Sequence, residues 1–328
     1  VLIDSFHRRI TYLRLSVTDR CNLRCRYCMP EYGVEKLRHE DILTYEEFTR
    51  VVEAAASEGM TKIRLTGGEP LVRKGFLNFV HTLSSIPGTL DLRLTTNGVL
   101  LADMAGDLLT AGVRRVNISL DSLDRSNFFR IAGRDYLEAV WRGIETALAV
   151  GFDRVKINVV VIRGFNDHEI IDFARLSLDR PLEVRFIEFM PIGRQDFWSP
   201  HRLVSIQEIK DRLRLLGDLV PTATDSRDGP AEVFHLTGAE GRVGFISPVT
   251  DHFCQTCNRL RLTADGKLRP CLLSNQEIDL KTPLRSGAAR KPIAEILHRA
   301  VKNKPGRHHL DRAHHPSGSD RTMNLIGG

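Results

Sequence analysis

The sequence predicts an α/β fold: a partial (β/α)6 TIM-like barrel with an appended C-terminal, largely β subdomain. Two observations carry that prediction. Short β-branched runs alternate with helical patterns from Tyr12 to about residue 215, the signature of repeated βα units and a parallel sheet. After residue 217 the pattern changes to shorter strands and turns. The expected division is therefore a barrel over 1–217, a subdomain over 218–302 and a tail over 303–328 that ends in Gly-Gly.

Six strands are expected in the barrel, at 13–17, 62–66, 91–95, 115–120, 155–161 and 183–189, with helices between them. The first helix is the clearest, because Thr44 and Glu47 form a capping box and Phe48, Val51, Val52 and Ala55 recur at helical spacing before Gly59. Six βα units fall short of a closed eight-fold barrel, so the barrel should be open, with its reactive face at the C-terminal ends of the strands. The C-terminal part contributes expected strands at 232–236, 242–246, 259–263 and 267–271. The tail, rich in His, Pro, Gly and Ser, is expected to be poorly ordered up to Arg321, and its His308, His309, His314 and His315 to be solvated rather than metal-bound.

Alternation within the strands separates an outward apolar set from an inward set. The outward set runs Leu13, Leu15, Val17, Ile63, Leu65, Leu92, Leu94, Val116, Ile118, Leu120, Val155, Ile157 and Val159. The inward set holds Arg14, Ser16, Arg64, Thr66, Arg93, Thr95, Asn117, Ser119, Lys156 and Asn158, with Arg185 on the sixth strand. Barrel interiors are ordinarily filled with branched apolar side chains. Burying several unpaired cations is costly, so this lumen should be solvated or hold an anion of matching charge, and a polyphosphate fits. The alternative is that some of these residues pair with Asp and Glu at the barrel rim.

The chain has 328 residues, 42% hydrophobic and 27% charged, which places it among globular proteins with a substantial core. No apolar run approaches a membrane span, and the N-terminus shows neither a signal region nor a presequence, so the expected location is cytoplasmic. The net charge of +6 suits an anionic ligand or a nucleic acid. Aromatic content of only 7%, with no Lys/Arg cluster interleaved with aromatics, argues against nucleic acid.

Six cysteines fall into two groups of three at opposite ends of the chain, a poor match to a disulfide framework. The first group is Cys21-x3-Cys25-x2-Cys28, just after the first strand. Three thiolates at this spacing suit a cubane iron–sulfur cluster with one iron left without a protein ligand. A structural zinc site would want a fourth ligand, and His39 lies too far along. The second group is Cys254-x2-Cys257 with Cys271. Taken alone it is open between zinc, with His252 as fourth ligand, and iron–sulfur. Gly67-Gly68-Glu69-Pro70 ends the second strand and would let a ligand approach the backbone.

The Cys-x3-Cys-x2-Cys loop with Tyr27 before its last cysteine, the Gly-Gly-Glu-Pro turn and the partial barrel together resemble the radical S-adenosylmethionine superfamily. Within it, the second cysteine group, Asn258-Arg259-Leu260-Arg261 and the terminal Gly327-Gly328 resemble the GTP 3′,8-cyclase family of molybdenum-cofactor biosynthesis. The resemblance implies two [4Fe-4S] clusters with three Cys ligands each, the first on Cys21, Cys25 and Cys28 and the second on Cys254, Cys257 and Cys271. It implies that Tyr27, Gly68, Ser119 and Met190 contact S-adenosyl-L-methionine. Arg14, Arg64, Thr95 and Lys156 would contact GTP, with Arg259 and Arg261 beside the second cluster, and Gly327 and Gly328 would insert into the active site. It implies as partners GTP, an external one-electron donor of flavodoxin or ferredoxin type, a downstream cyclic pyranopterin monophosphate synthase and a second copy in a homodimer, with no nucleic acid and no membrane. Two rivals are a peptide-modifying radical maturase, which often carries more auxiliary cysteines, and a basic zinc-binding nucleic-acid protein.

Overall fold

Residues 1–29, 33–88, 90–192, 197–222, 229–308 and 321–327 are described by a computed structural model. Six parallel strands form the barrel wall: β1 (Tyr12–Ser16), β2 (Lys62–Thr66), β3 (Asp91–Thr96), β4 (Arg115–Ser119), β5 (Arg154–Val161) and β6 (Glu183–Glu188). Each is followed by helical structure: α1 (Tyr45–Ser57), α2 (Phe76–Ser84), α3 (Leu101–Thr110), α4 (Arg125–Ala132) with α5 (Leu137–Ala149), α6 (Ile170–Arg175), and α7 (Ile206–Leu213). The α1 capping box is present, with Thr44 accepting from the Glu47 backbone and the Glu47 carboxylate accepting from the Thr44 N–H. The outward alternation set is fully buried between strands and helices, while the inward polar residues face a lumen.

The C-terminal strands extend this sheet on both edges. Beyond β6 come β9 (Arg242–Ile246), β8 (Glu232–Leu236) and β7 (Leu219–Pro221), with β9 parallel to β6. Beyond β1 come β10 (Arg259–Leu262), β11 (Lys267–Arg269) and β12 (Ile278–Asp279), with β10 parallel to β1. The short β7 and β12 were not expected; at three and two residues they are too brief to show a period in sequence. Helices α8 (Lys281–Arg285), α9 (Arg290–Lys302) and α10 (Met323–Ile326) complete the chain. Among the described residues no helix is long and apolar enough to cross a membrane.

The start of the tail departs from expectation. Lys304 is buried and donates from Nζ to the carbonyls of Arg259 at 2.9 Å and Pro270 at 2.7 Å. His308 meets the Pro248 carbonyl at 2.9 Å and its ring lies edge-on to His252. Buried carbonyls at the end of the sheet need donors, and these two side chains supply them. His309, His314, His315 and Gly328 lie outside the described residues.

Candidate active site

The loop after β1 carries Cys21, Cys25 and Cys28, which ring one hollow at the C-terminal mouth of the barrel. Thr18 and Arg20 just before it are fastened to the end of β2: Gly68 N–H donates to the Thr18 carbonyl at 2.7 Å and Glu69 N–H to the Arg20 carbonyl at 2.8 Å. A Cβ on Gly68 would stand 2.5 Å from the Arg20 carbonyl oxygen. The close approach that Gly67-Gly68 permits is to the chain's own cysteine loop, and both glycines also line the hollow where a ligand would approach. Glu69 is buried and accepts from Leu71 N–H, Thr96 Oγ1 and Asn97 N–H at 3.0, 2.8 and 2.6 Å. Burial holds its carboxyl up at about 7 against those bonds.

The same hollow collects Tyr27, Gly68, Ser119, Met190 and Thr95, with Asp121, Met323 and Asn324. Tyr27 donates its hydroxyl to Asp121 Oδ2 at 2.6 Å, and burial lifts the Asp121 carboxyl to about 6. Asn97 Nδ2 approaches Cys21 Sγ at 3.7 Å. All six thiols are free. Burial pushes Cys21 up to about 11, and burial with neighbouring negative charge also raises Cys25 and Cys28. Such a trio favours a cationic centre that can share its negative charge, which an iron–sulfur cluster provides.

The second trio behaves differently. Cys254, Cys257 and Cys271 ring a second hollow with His252, Arg259, Lys304 and His308. Burial opposes ionisation of Cys257, but Arg259 and Lys304 bring the thiol down to about 6. Lys304 was not singled out in the sequence, where nothing distinguishes it from other tail residues, and His308 was expected to be solvated but lines this hollow. Among the described residues no three His, Cys, Asp or Glu side chains are drawn together as the ligands of a single metal ion.

Between the hollows lies the lumen, lined by Tyr12, Arg14, Arg64, Arg93, Arg185, Arg259 and Arg261, and Met190 borders all three spaces. Arg64 donates from Nε to the Tyr12 hydroxyl at 2.5 Å and from Nη1 to Thr95 Oγ1 at 3.2 Å. Arg14 reaches the same hydroxyl at 3.4 Å. Burial and the neighbouring cations lower Arg64 to about 10 even with Tyr12 as partner. Tyr12 was missed because the first strand was begun one residue late; the alternation that turns Arg14 and Ser16 inward applies to it as well.

The cations do not all lack carboxylates. Lys156 Nζ sits 3.2 and 3.1 Å from the two carboxylate oxygens of Glu183, which also accepts from Arg185 Nε, and Arg93 pairs with Asp91 at 2.5 Å. Lys156 is thus buried and engaged at the lumen wall rather than projecting into the open space. Arg185 keeps a buried Nη2 with no partner among the described residues. That orphaned donor, beside Arg14, Arg64 and Arg261, is suited to an anion.

The C-terminus enters at the same mouth, where Met323 and Asn324 line the first hollow. Gly327 adopts φ +88°, and a Cβ there would meet Ser16 Cβ at 2.8 Å and Thr66 Cγ2 at 3.0 Å. Its carbonyl accepts from Arg261 Nη1 at 2.7 Å, and Asn324 Nδ2 donates to the Asp19 carbonyl at 3.0 Å.

Comparison with known proteins agrees with this architecture. Residues 15–177 match the radical SAM superfamily and residues 182–310 match Molybdenum Cofactor Synthesis C. The GTP 3′,8-cyclase of Moorella thermoacetica is 51% identical over 325 residues, 99% of both chains. That of Desulforamulus reducens is 49% identical over 328 residues, 100% of both chains. Streptococcus suis SuiB, in a crystal structure bound to S-adenosylmethionine, shares the fold at a TM-score of 0.60 and 14% identity, over 88% of this chain and 68% of that one. With full-length identity near one half and both parts of the fold matched, the chain belongs to the GTP 3′,8-cyclase family of the radical SAM superfamily.

Proposed function

We propose that the chain converts GTP to (8S)-3′,8-cyclo-7,8-dihydroguanosine 5′-triphosphate, the first step of molybdenum-cofactor biosynthesis. The observation that carries this reading is the cationic lumen joining two three-cysteine hollows. Cys21, Cys25 and Cys28 would hold one [4Fe-4S] cluster and Cys254, Cys257 and Cys271 the other. The first cluster with S-adenosyl-L-methionine supplies a 5′-deoxyadenosyl radical, a hydrogen-atom abstractor of a kind no side chain provides.

The chain's own residues bind, orient and enclose. Tyr27, Gly68, Ser119 and Met190 form the wall of the cofactor hollow. Arg14, Arg64 and Arg185 offer the triphosphate charge-assisted hydrogen bonds, with Lys156 and Thr95 behind them. Arg259 and Arg261 steer the guanine end toward the second hollow. Held at both ends, the nucleotide has its ribose C3′ and guanine C8 fixed near each other, and that loss of freedom is the main contribution of the protein to the rate. Gly327 would close the lumen at the mouth. Free thiols in six places suit a reducing cytoplasm, where a one-electron carrier protein would serve as donor and a cyclic pyranopterin monophosphate synthase would take the product.

The test is anaerobic. Reconstituted protein is mixed with S-adenosylmethionine, a strong reductant and each nucleoside triphosphate in turn. We expect 5′-deoxyadenosine to appear in step with loss of GTP and a cyclised isomer of equal mass. Deoxyadenosine without nucleotide loss overturns the substrate, and none at all from protein with both clusters overturns the reading.

A further inference from the structure

Three arginines stand over one aromatic pair on the outer side of the first cysteine loop. Phe165 and Phe197 meet edge to face at 5.3 Å between centroids. The Arg130 guanidinium carbon lies 4.3 Å from the Phe165 centroid, that of Arg202 4.4 Å from Phe197, and that of Arg26 5.9 and 5.7 Å from the two rings. Arg26 and Arg130 are exposed. Neighbouring surface arginines have carboxylates, Arg125 at Asp135 and Arg163 at Glu208. Among the described residues no carboxylate pairs with Arg26, Arg130 or Arg202; the Arg202 side chain donates to the Phe197 carbonyl. Three like charges converge on a neutral platform.

We infer that this platform is the docking surface for an acidic one-electron carrier protein; the inference rests on the proposed function, which requires electrons from outside. Position argues for it. Arg26 lies between Cys25 and Tyr27, and the loop is zipped to the end of α4 by Arg24 N–H to Ala132 carbonyl at 2.8 Å and Arg26 N–H to Ile131 carbonyl at 2.9 Å. A partner seated on Arg26 and Arg130 therefore touches the cysteine loop from the side away from the lumen, where it competes with neither nucleotide nor cofactor.

Chemistry argues for it too. A guanidinium stacked on a ring keeps its donor edge free and ordered, and that edge matches a carboxylate in bidentate fashion. On α4 beside Arg130, Phe129 is 56% exposed, giving the rim an aromatic anchor of the type enriched at interfaces. Electron-transfer encounters are small and steered by charge, so a few unpaired arginines suffice. The event itself moves one electron: the carrier is oxidised, the cluster bound to the loop is reduced, and no bond forms between the proteins.

The experiment uses the holoprotein and flavodoxin. Binding of oxidised flavodoxin is measured by calorimetry for the unaltered protein, Arg130→Glu, Arg202→Glu and Arg130→Ala. Deoxyadenosine formation is followed with photoreduced flavodoxin and, separately, with dithionite. We expect the two Glu variants to weaken binding about tenfold or more, in the range of charge steering, with dithionite-supported turnover within about twofold of the unaltered protein. Binding to the unaltered protein should weaken steeply with salt. Unchanged binding in both Glu variants, or salt-independent binding of the unaltered protein, overturns the inference. Should a Glu variant also lose dithionite turnover, the salt series and Arg130→Ala decide by the same criteria. Absence of turnover by the unaltered protein with dithionite strikes the proposed function instead and leaves the binding result legible.

Discussion

Arg261 donates from Nη1 to the Gly327 carbonyl across 66 residues of sequence, at 2.7 Å inside the barrel. This bond joins β10, which leads from the second cysteine hollow, to a terminus that abuts the ends of β1 and β2 at Ser16 and Thr66.

Gly327 tolerates that position because it has no Cβ and sits at φ +88°. Gly327→Ala adds a clash and about 1–3 kcal/mol of backbone strain, enough to weaken docking of the terminus about 5- to 150-fold. We expect cyclised product to fall by a comparable factor while iron content stays unchanged. Normal product formation by the variant would show that the inserted terminus is dispensable.

Glu183 is the shared counter-charge of Lys156 and Arg185. Burial opposes its ionisation, but Arg185 and Lys156 hold its carboxyl below the ordinary 4.5. The folded value is depressed, so its stabilisation is complete above that ordinary value and is lost as pH falls through the folded one. Glu183→Gln should destabilise the ligand-free protein by about 3–5 kcal/mol by leaving buried cations uncompensated. GTP should restore more stability to the variant than to the unaltered protein, read as the larger thermal shift. Equal shifts would mean that the nucleotide does not reach these cations.

Tyr12 is the lumen's other negative group. Burial resists its ionisation, yet Arg64, Arg14 and Arg259 bring the phenol from 10.0 down to about 6. The charge-linked stability is therefore complete above 10, declines as pH falls and is gone below about 6. Over that interval the ligand-free protein should melt at progressively lower temperature as the pH is reduced, more steeply than Tyr12→Phe. The variant should also be about 1–3 kcal/mol less stable at neutral pH, because Arg64 Nε loses its acceptor. Parallel melting curves would assign the pH dependence elsewhere.

Each cysteine trio should be separable. Cys28→Ser and Cys257→Ser should each lower bound iron to roughly half, since each leaves a cubane with two thiolates. Only Cys28→Ser should abolish deoxyadenosine formation. Zinc in place of iron in the Cys28→Ser protein would reassign the second hollow.

Most of the barrel is legible because a period-2 strand exposes which side each residue faces; the Arg14, Arg64, Arg93 and Arg185 set came directly from alternation, and all four line the lumen. The grouping of the cysteines is legible from spacing, although spacing alone leaves the second group open between zinc and iron–sulfur. Long-range relationships are not. Nothing local announces that Glu183, a strand-starting acid, neutralises two inward cations, or that Lys304 and His308 fold back onto the second hollow. The first exists because β5 and β6 pair with Lys156 opposite Glu183, the second because β9 and β10 close onto opposite edges of the barrel, and pairing partners leave no mark on either strand.

That closure also orders events during synthesis. When residues 1–188 have emerged, β1 and β6 are complete but each lacks its outer neighbour, since β9 ends at Ile246 and β10 at Leu262. The nascent chain thus carries two naked strand edges, both hazards for misassociation, until about three quarters of it has been made. The first cysteine loop is finished early, beside one of those edges, and waits for β10 to cover it.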